Sequence, residues 1–295
     1  MSDQSQHCCF IPATELWDGF NPLGVKEGFF VILKGYIDES FDNTRNVFAL
    51  SCLIAKGKAW TELERKWKLC LAAKNKKLAK AGRPTISRYH ASDCSGLRLE
   101  FEGWDRDERD GFVLELFGLL KNLGSHTVVF DIQLDDLCAV FPECEDRLEA
   151  AYHILTGFLI RQIADDFKKQ AKGQPIKVTL FHDWTGGKGK YDPIILRSFA
   201  QQINDLNFDG RDYFTTIAPL KWQDSIALQP ADLVAFECFK EATARIEARK
   251  SRRSYTALID MPSFGIHSKS FSRKSIRDLR KNMEEQHRPG LAGRV

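Results

Sequence analysis

The sequence has no cysteine pair of the CxxC type, although it contains eight cysteines in 295 residues. Zinc knuckles and dithiol redox sites depend on such pairs, so the sequence indicates neither class. His7, Cys8 and Cys9 form a short metal-like cluster, which we interpret as part of an irregular terminus. Scattered cysteines are typical of a reducing compartment, and we therefore expect a cytoplasmic protein.

Long apolar runs are also absent, since no stretch approaches the roughly 18 residues that a membrane-spanning helix requires. The first twenty residues lack the basic start and apolar centre of a signal peptide. We therefore expect no membrane partner. Apolar residues still make up 43% of the chain, which is enough for the core of one large domain.

The formal charge of the whole chain is only +3, but the charges are unevenly distributed. Residues 65–83 contain eight Lys or Arg and no acid, and residues 240–295 carry a net charge of +8. The remaining residues therefore carry −13. Basic segments around an acidic middle are typical of a nuclease with a carboxylate centre, although a solvated helix face and a basic tail would give the same counts.

Apolar patterning predicts five strands, at about residues 29–38, 46–55, 126–134, 175–183 and 213–222. Turn residues between the first two strands predict an antiparallel hairpin. Helical periodicity predicts a helical insertion at about residues 56–124, between the second and third strands, and helices separate the later strands. The fold class is therefore α/β, with a mixed five-stranded sheet flanked by helices.

The order of these elements is also that of the ribonuclease H-like fold, in which the first and fourth strands lie adjacent and parallel at the centre of the sheet. We assign residues 29–250 to such a domain. Residues 1–28 read as an irregular lead-in, and residues 251–295 as a basic C-terminal tail.

Carboxylates end both of the strands that this topology places together. Asp38 and Glu39 follow the apolar run of the first strand, and Asp183 ends the fourth strand in VTLFHD. Adjacent strands lie about 4.7–4.9 Å apart, so the two aspartates would meet. Carboxylates this close resist ionisation unless a cation lies between them, and Mg²⁺ or Mn²⁺ prefers such oxygen ligands. Two unrelated turn residues are the alternative interpretation.

A third acid lies at the start of a predicted helix, in WQDSIALQPADLVAF at residues 222–236. Pro230 suits the first turn of a helix, and Asp232 falls within that turn. Packing of the helix on the sheet would direct Asp232 toward the strand ends, whereas the alternative is a favourable interaction with the helix dipole alone. Asp224 is either a further metal ligand or a turn residue.

Four short motifs resemble a known family. They are YIDES after the first strand, HASD at residues 90–93, the strand-ending Asp183, and DS…LQPADLVA at residues 224–235. Their order and spacing, over residues 33–240, resemble the family catalogued as domain of unknown function 3800. That family is assigned by similarity to the ribonuclease H-like superfamily.

The resemblance implies a metal-dependent nuclease-like site that uses Asp38, Asp183 and Asp232, with Glu39 adjacent. The chain departs from the family pattern at two positions. The family often has Gly after DES and an aliphatic residue before the final Ala-Asp, where this chain has Phe41 and Pro230.

Other residues are candidates for contacts with phosphate. His90 could orient a water or contact a phosphate, or it could be a structural histidine paired with Asp93. The loop WTGGKGK at residues 184–190 lacks the spacing of a P-loop, but its lysines could hold a phosphate. The candidate nucleic-acid-binding residues are all lysines: Lys74, Lys76, Lys77, Lys80, Lys188 and Lys190.

Together these features predict a divalent-metal-dependent nuclease that hydrolyses DNA or RNA. Two Mg²⁺ or Mn²⁺ ions about 3.5–4 Å apart would activate water and stabilise the leaving oxygen. The alternatives are a non-catalytic nucleic-acid-binding or assembly subunit and a hydrolase of small phosphoesters or nucleotides. A protein partner or a homodimer is compatible with each.

Overall fold

The computed structural model describes residues 31–42, 44, 46–170, 176–184, 192–205, 208–261 and 265–286. The predicted lead-in and two of the candidate lysines, Lys188 and Lys190, lie outside these residues. None of the helices within the described ranges is long and apolar enough to cross a membrane.

A mixed sheet of six strands forms the centre of the described part of the chain. The strands run in the order β5-β4-β1-β2-β3-β6. Strand β2 is antiparallel to β1 and β3, and the other neighbouring pairs are parallel. The predicted parallel pairing of the first and fourth strands is therefore confirmed. The strands are β1 (Val31–Asp42), β2 (Val47–Lys56), β3 (His126–Gln133), β4 (Ile176–Asp183), β5 (Phe214–Leu220) and β6 (Gly265–Phe271).

The predicted number of five strands is wrong, because the segment assigned to the basic tail contributes β6. This strand reads GIHSKSF and lies at the sheet edge, where most of its residues are exposed. Its few apolar residues leave little strand signal in the sequence. A parallel ladder joins β6 to β3, and Asp131 Oδ2 of β3 also accepts hydrogen bonds from Ser270 Oγ of β6 at 2.7 Å and from Arg245 of α7 at 2.9 Å.

Helices cover both faces of the sheet. The predicted helical insertion between β2 and β3 is present as α1 (Gly57–Lys80), α2 (Ala91–Gly96) and α3 (Arg106–Leu120). These three helices pack on one face with α7 (Leu228–Ile246) and α8 (Arg253–Ile259). The opposite face is covered by α4 (Leu134–Val140), α5 (Arg147–Gln170), α6 (Asp192–Asn204) and α9 (Arg273–Gln286).

Helix α7 joins the elements that pack on the α1 side of the sheet. Apolar residues occur around most of its circumference, so almost all of its first seventeen residues are buried. A helix that is apolar on all sides belongs in the interior. It packs across β1 and β2, and its N-terminal end therefore lies near the ends of the central strands.

Candidate functional site

Asp38 and Asp183 lie side by side where the parallel pairing of β1 and β4 ends. The prediction that Asp38 ends the first strand is wrong, because β1 continues to Asp42 in its pairing with β2. The last residue pair in the parallel register of β1 and β4 is Ile37 with His182, and each aspartate comes next in its strand. Two residues before each aspartate, the rings of Tyr36 and Phe181 stack with their centroids 5.3 Å apart in the core beneath α7. Side chains two residues apart in a strand share a face, so both aspartates emerge on the α7 side.

Asp232 reaches the same region from α7. The helix begins at Leu228, two residues before the predicted start, so Asp232 is its fifth residue. Its Oδ2 accepts a hydrogen bond of 2.8 Å from the backbone N–H of Ala91. The acid therefore lies between the sheet and the loop that joins α1 to α2.

Electrostatic interactions join these carboxylates into one cluster. Asp38 is only 9% exposed, and burial raises its pKa well above the usual range. The charges of Asp232, Glu39 and Asp183 raise it further. Burial also raises the pKa of Asp232 to about 6, with a smaller contribution from Asp183. Like charges that are buried together destabilise one another's ionised forms, as the sequence predicted for neighbouring strand-end acids.

Two polar atoms beside Asp38 are left without partners. Burial raises the pKa of Asp183, and its Oδ1 has no hydrogen-bond partner among the described residues. The hydroxyl of Ser51, the residue opposite Asp38 in the β1–β2 register, is likewise buried and has no partner within the described part. Buried polar atoms are normally satisfied, by protein groups or by bound water or ions.

The donor chemistry of this cluster fits a hard divalent cation, because carboxylate and hydroxyl oxygens are the ligands that Mg²⁺ and Mn²⁺ prefer. The placement of the side chains is not yet that of a finished metal site. In the part of the chain that the structure describes, no group of three or more His, Cys, Asp or Glu side chains is arranged to hold a metal ion. The cluster therefore supplies suitable oxygens without a preformed ligand set.

The loop before α2 places a histidine and an arginine next to the acids. His90 lowers the pKa of Asp232 and that of Asp183, so its ring lies near both carboxylates. Its Nδ1 is 2.5 Å from Asp93 Oδ2, which is also the contact expected of a structural histidine. The sequence analysis missed Arg88, whose guanidinium lowers the pKa of the same two aspartates.

Gln229 holds this loop against α7 and was also missed. Its Oε1 accepts a hydrogen bond of 2.9 Å from Trp67 Nε1 and another of 2.9 Å from the backbone N–H of Tyr89. Gln229 lies three residues before Asp232, on the side of α7 that faces the loop. In the sequence, the only indication of this role was a side-chain amide among the mainly apolar residues at the start of the helix.

Two of the predicted site residues lie apart from the cluster. Glu39 is paired with Leu50 and emerges on the opposite face of the sheet from Asp38, although its charge still affects Asp38. Asp224 is exposed in a turn, where its N–H donates to the carbonyl of Lys221 at 2.9 Å. It is not among the main charges that shift the pKa values of the three aspartates.

The candidate lysines on α1 differ in their surroundings. Lys74 contacts Glu108 at 2.9 Å and lies 4.1 Å from the centre of the Trp104 ring, so it bridges α1 to the α3 region. Its ammonium group is therefore engaged within the protein. Lys76, Lys77 and Lys80 are exposed and remain candidates for phosphate contacts.

Comparison of the sequence with models of known protein families gives no match, and comparison with curated proteins gives none. The resemblance to the family catalogued as domain of unknown function 3800 therefore stays a prediction based on short motifs.

Proposed function

We propose that this protein is a divalent-metal-dependent phosphodiesterase that cleaves nucleic acid, built on a ribonuclease H-like fold. The supporting observation is that Asp38 and Asp183, where the parallel pairing of β1 and β4 ends, and Asp232 of α7 form one buried cluster, in which like charges raise the pKa values of Asp38 and Asp232. Ligands of open α/β sheets bind outside the carboxyl ends of the strands. A cluster of buried carboxylates whose charge is only partly compensated destabilises a fold, which favours a role for these acids in binding a cation.

The fold assignment in this proposal rests on strand order. The strand order β5-β4-β1-β2-β3, with β2 antiparallel to both of its neighbours, is the order expected of that fold. Strand β6 is then an addition at the edge beyond β3.

In this proposal, Asp38, Asp183 and Asp232 hold Mg²⁺ or Mn²⁺, which when bound would polarise the phosphate and lower the pKa of a water molecule. Arg88 supplies a fixed positive charge beside these acids, and it would bind a non-bridging phosphate oxygen. His90 uses Nδ1 for Asp93, so its Nε2 is the ring nitrogen that would donate a proton to the leaving oxygen. Asp93 would orient the ring for this role.

The two alternative functions account less well for this site. A subunit that only binds nucleic acid gains nothing from clustered carboxylates, because they repel phosphate. A hydrolase of small phosphoesters would enclose its substrate. Two cavities among the described residues are lined mainly by residues of α5 and α6 and by residues of α3 and α8, and the three aspartates line neither of them.

The test is cleavage of labelled DNA, RNA and hybrid substrates, in single-stranded and double-stranded forms, with Mg²⁺, with Mn²⁺ and with EDTA. We expect metal-dependent cleavage that falls at least about 100-fold in Asp38→Asn, which keeps the side-chain shape and removes one charge. Asp260→Asn changes an exposed aspartate directly after α8 and serves as the matched control. Cleavage that persists in EDTA, or that is equal in Asp38→Asn and Asp260→Asn, would exclude the proposal.

A further inference from the structure

The tryptophans divide sharply by location. Five of the six in the sequence lie within the described residues. Three of these, Trp60, Trp67 and Trp104, are core residues that are at most 5% exposed. The other two, Trp184 and Trp222, reach the surface, and Trp184 is 36% exposed. Core packing therefore explains three indoles fully and Trp222 in part, since Trp222 is partly buried against the same core, and it leaves the exposed ring of Trp184 to be explained.

Both of these tryptophans border the carboxylate cluster. Trp184 directly follows Asp183. Its backbone N–H donates a hydrogen bond of 2.7 Å to the carbonyl of Leu220, which joins the end of β4 to the end of β5. Trp222 lies two residues beyond Leu220. The backbone N–H groups of both tryptophans interact with the Asp183 carboxylate. The two indoles are thus attached to the backbone that surrounds one of the three acids.

Each of the two indoles also has a cation at its ring. The guanidinium carbon of Arg88 lies 4.3 Å from the ring centre of Trp222, and Lys221 Nζ lies 5.0 Å from that of Trp184. Arg88 also interacts electrostatically with Asp183 and Asp232, so its guanidinium lies near both an indole and the acids. Aromatic faces interleaved with cations are the composition of sites for single-stranded nucleic acid, in which bases stack and phosphates pair with the cations.

We infer that Trp184 and the stacked Arg88–Trp222 pair bind unpaired nucleobases on either side of the phosphate held at the acid cluster. The substrate class is therefore single-stranded DNA or RNA, or a strand whose bases are unpaired at the site. In a duplex, the faces of each base are covered by its neighbours, so an indole at the protein surface has no face to stack on. The inference takes the position of the phosphate from the proposed function, while the stacking itself needs no catalysis.

The experiment measures binding with Ca²⁺, a hard cation that also takes carboxylate oxygens, and gel electrophoresis checks that the probes stay intact. The probes are one fluorescently labelled DNA strand, its duplex, and an abasic strand of the same length that has the phosphates without the bases. We expect the single strand to bind more tightly than the other two. Trp184→Ala should weaken single-strand binding about 5- to 100-fold and leave binding of the abasic strand unchanged, because only base stacking is removed.

Two further variants separate stacking from general damage. Trp184→Phe retains an aromatic face and should retain most of the single-strand affinity. Ile259→Ala removes an exposed apolar side chain on α8 and should have no effect. Equal affinity for the single strand and the duplex would overturn the inference, and so would an unchanged affinity in Trp184→Ala.

The outcome is separable from that of the proposed function. Single-strand binding that depends on Trp184, in a protein that cleaves nothing with Mg²⁺ or Mn²⁺, would support the inference and exclude the nuclease. Metal-dependent cleavage of duplexes that is unaffected by Trp184→Ala would support the nuclease and exclude the inference.

Discussion

The backbone N–H of Ala91 donates a hydrogen bond of 2.8 Å to Asp232 Oδ2, and this contact joins the loop after α1 to the start of α7. The same loop carries Arg88 and His90, which oppose the rise in the pKa of Asp232 that burial causes. One stretch of α7 therefore supplies an acid and also anchors the groups that partly compensate its charge.

Gln229 should be essential for anchoring this loop. Gln229→Leu leaves the buried N–H groups of Trp67 and Tyr89 without an acceptor, and each such group costs about 1–3 kcal/mol. We expect the free energy of unfolding to fall by about 2–4 kcal/mol in urea titrations. Gln223→Leu, at an exposed position nearby, is the control, and equal stability of the two variants would show that Gln229 does not hold the loop.

Stability should depend on pH through Asp232. Its folded-state pKa is about 6, whereas an unfolded aspartate ionises near pH 4, so the folded protein binds the extra proton between these values. The contribution of Asp232 to stability is therefore most favourable below about pH 4, and it becomes unfavourable as pH rises through about 6.

Asp232→Asn removes this dependence. Relative to the wild type, the variant should gain on the order of 1–3 kcal/mol between about pH 4 and about pH 7.5 when metal is absent. Added Mg²⁺ or Mn²⁺ should raise the melting temperature of the wild type more at the higher pH, because metal and protons compete for the carboxylates. A pH-independent difference between the two proteins would contradict the shifted pKa.

The lysines of α1 should separate into two functional groups. Replacing Lys76, Lys77 and Lys80 with Ser should lower the slope of log affinity against log salt by about 2, because three phosphate contacts to a single strand are lost. Lys74→Ser should leave the slope unchanged and lower stability by about 1 kcal/mol, since Lys74 binds Glu108 inside the protein. If the triple variant keeps the wild-type slope, this face does not contact nucleic acid.

Two glycines should respond to alanine in opposite directions. A Cβ at Gly35 in β1 would lie 2.7 Å from Leu180 Cδ2 and 3.1 Å from Cys52 Sγ, so Gly35→Ala should destabilise the sheet by about 1–3 kcal/mol. A Cβ at Gly111 in α3 meets nothing within 4 Å among the described residues, and Gly111→Ala should stabilise that helix by about 0.5–1 kcal/mol. Unfolding by denaturant measures both. A Gly35→Ala variant that is as stable as the wild type would contradict the packing around β1, and a destabilised Gly111→Ala variant would contradict the open space at α3.

The sequence predicted the fold best where one segment carries its own signal. Continuous apolar runs that end in Asp38 and Asp183 indicate buried strands, because a strand covered on both faces contains few polar residues. The alternation of strands and helices then predicts a mixed sheet with the two strand ends together. Strand β6 was missed because an exposed edge strand needs few apolar residues, and its position depends on pairing with β3, which is distant in the chain.

By itself, then, the sequence determined the central strands, the helices and the acids that end or begin them, since local periodicity and burial decide these features. Only the tertiary structure decided which polar groups meet. Arg88 reaches Asp183 and Trp222, Gln229 joins Trp67 to Tyr89, and Lys74 turns inward to Glu108. These contacts link residues up to 162 positions apart in the chain. No local pattern encodes them, because they form only when α1, α2 and α7 pack together on one face of the sheet.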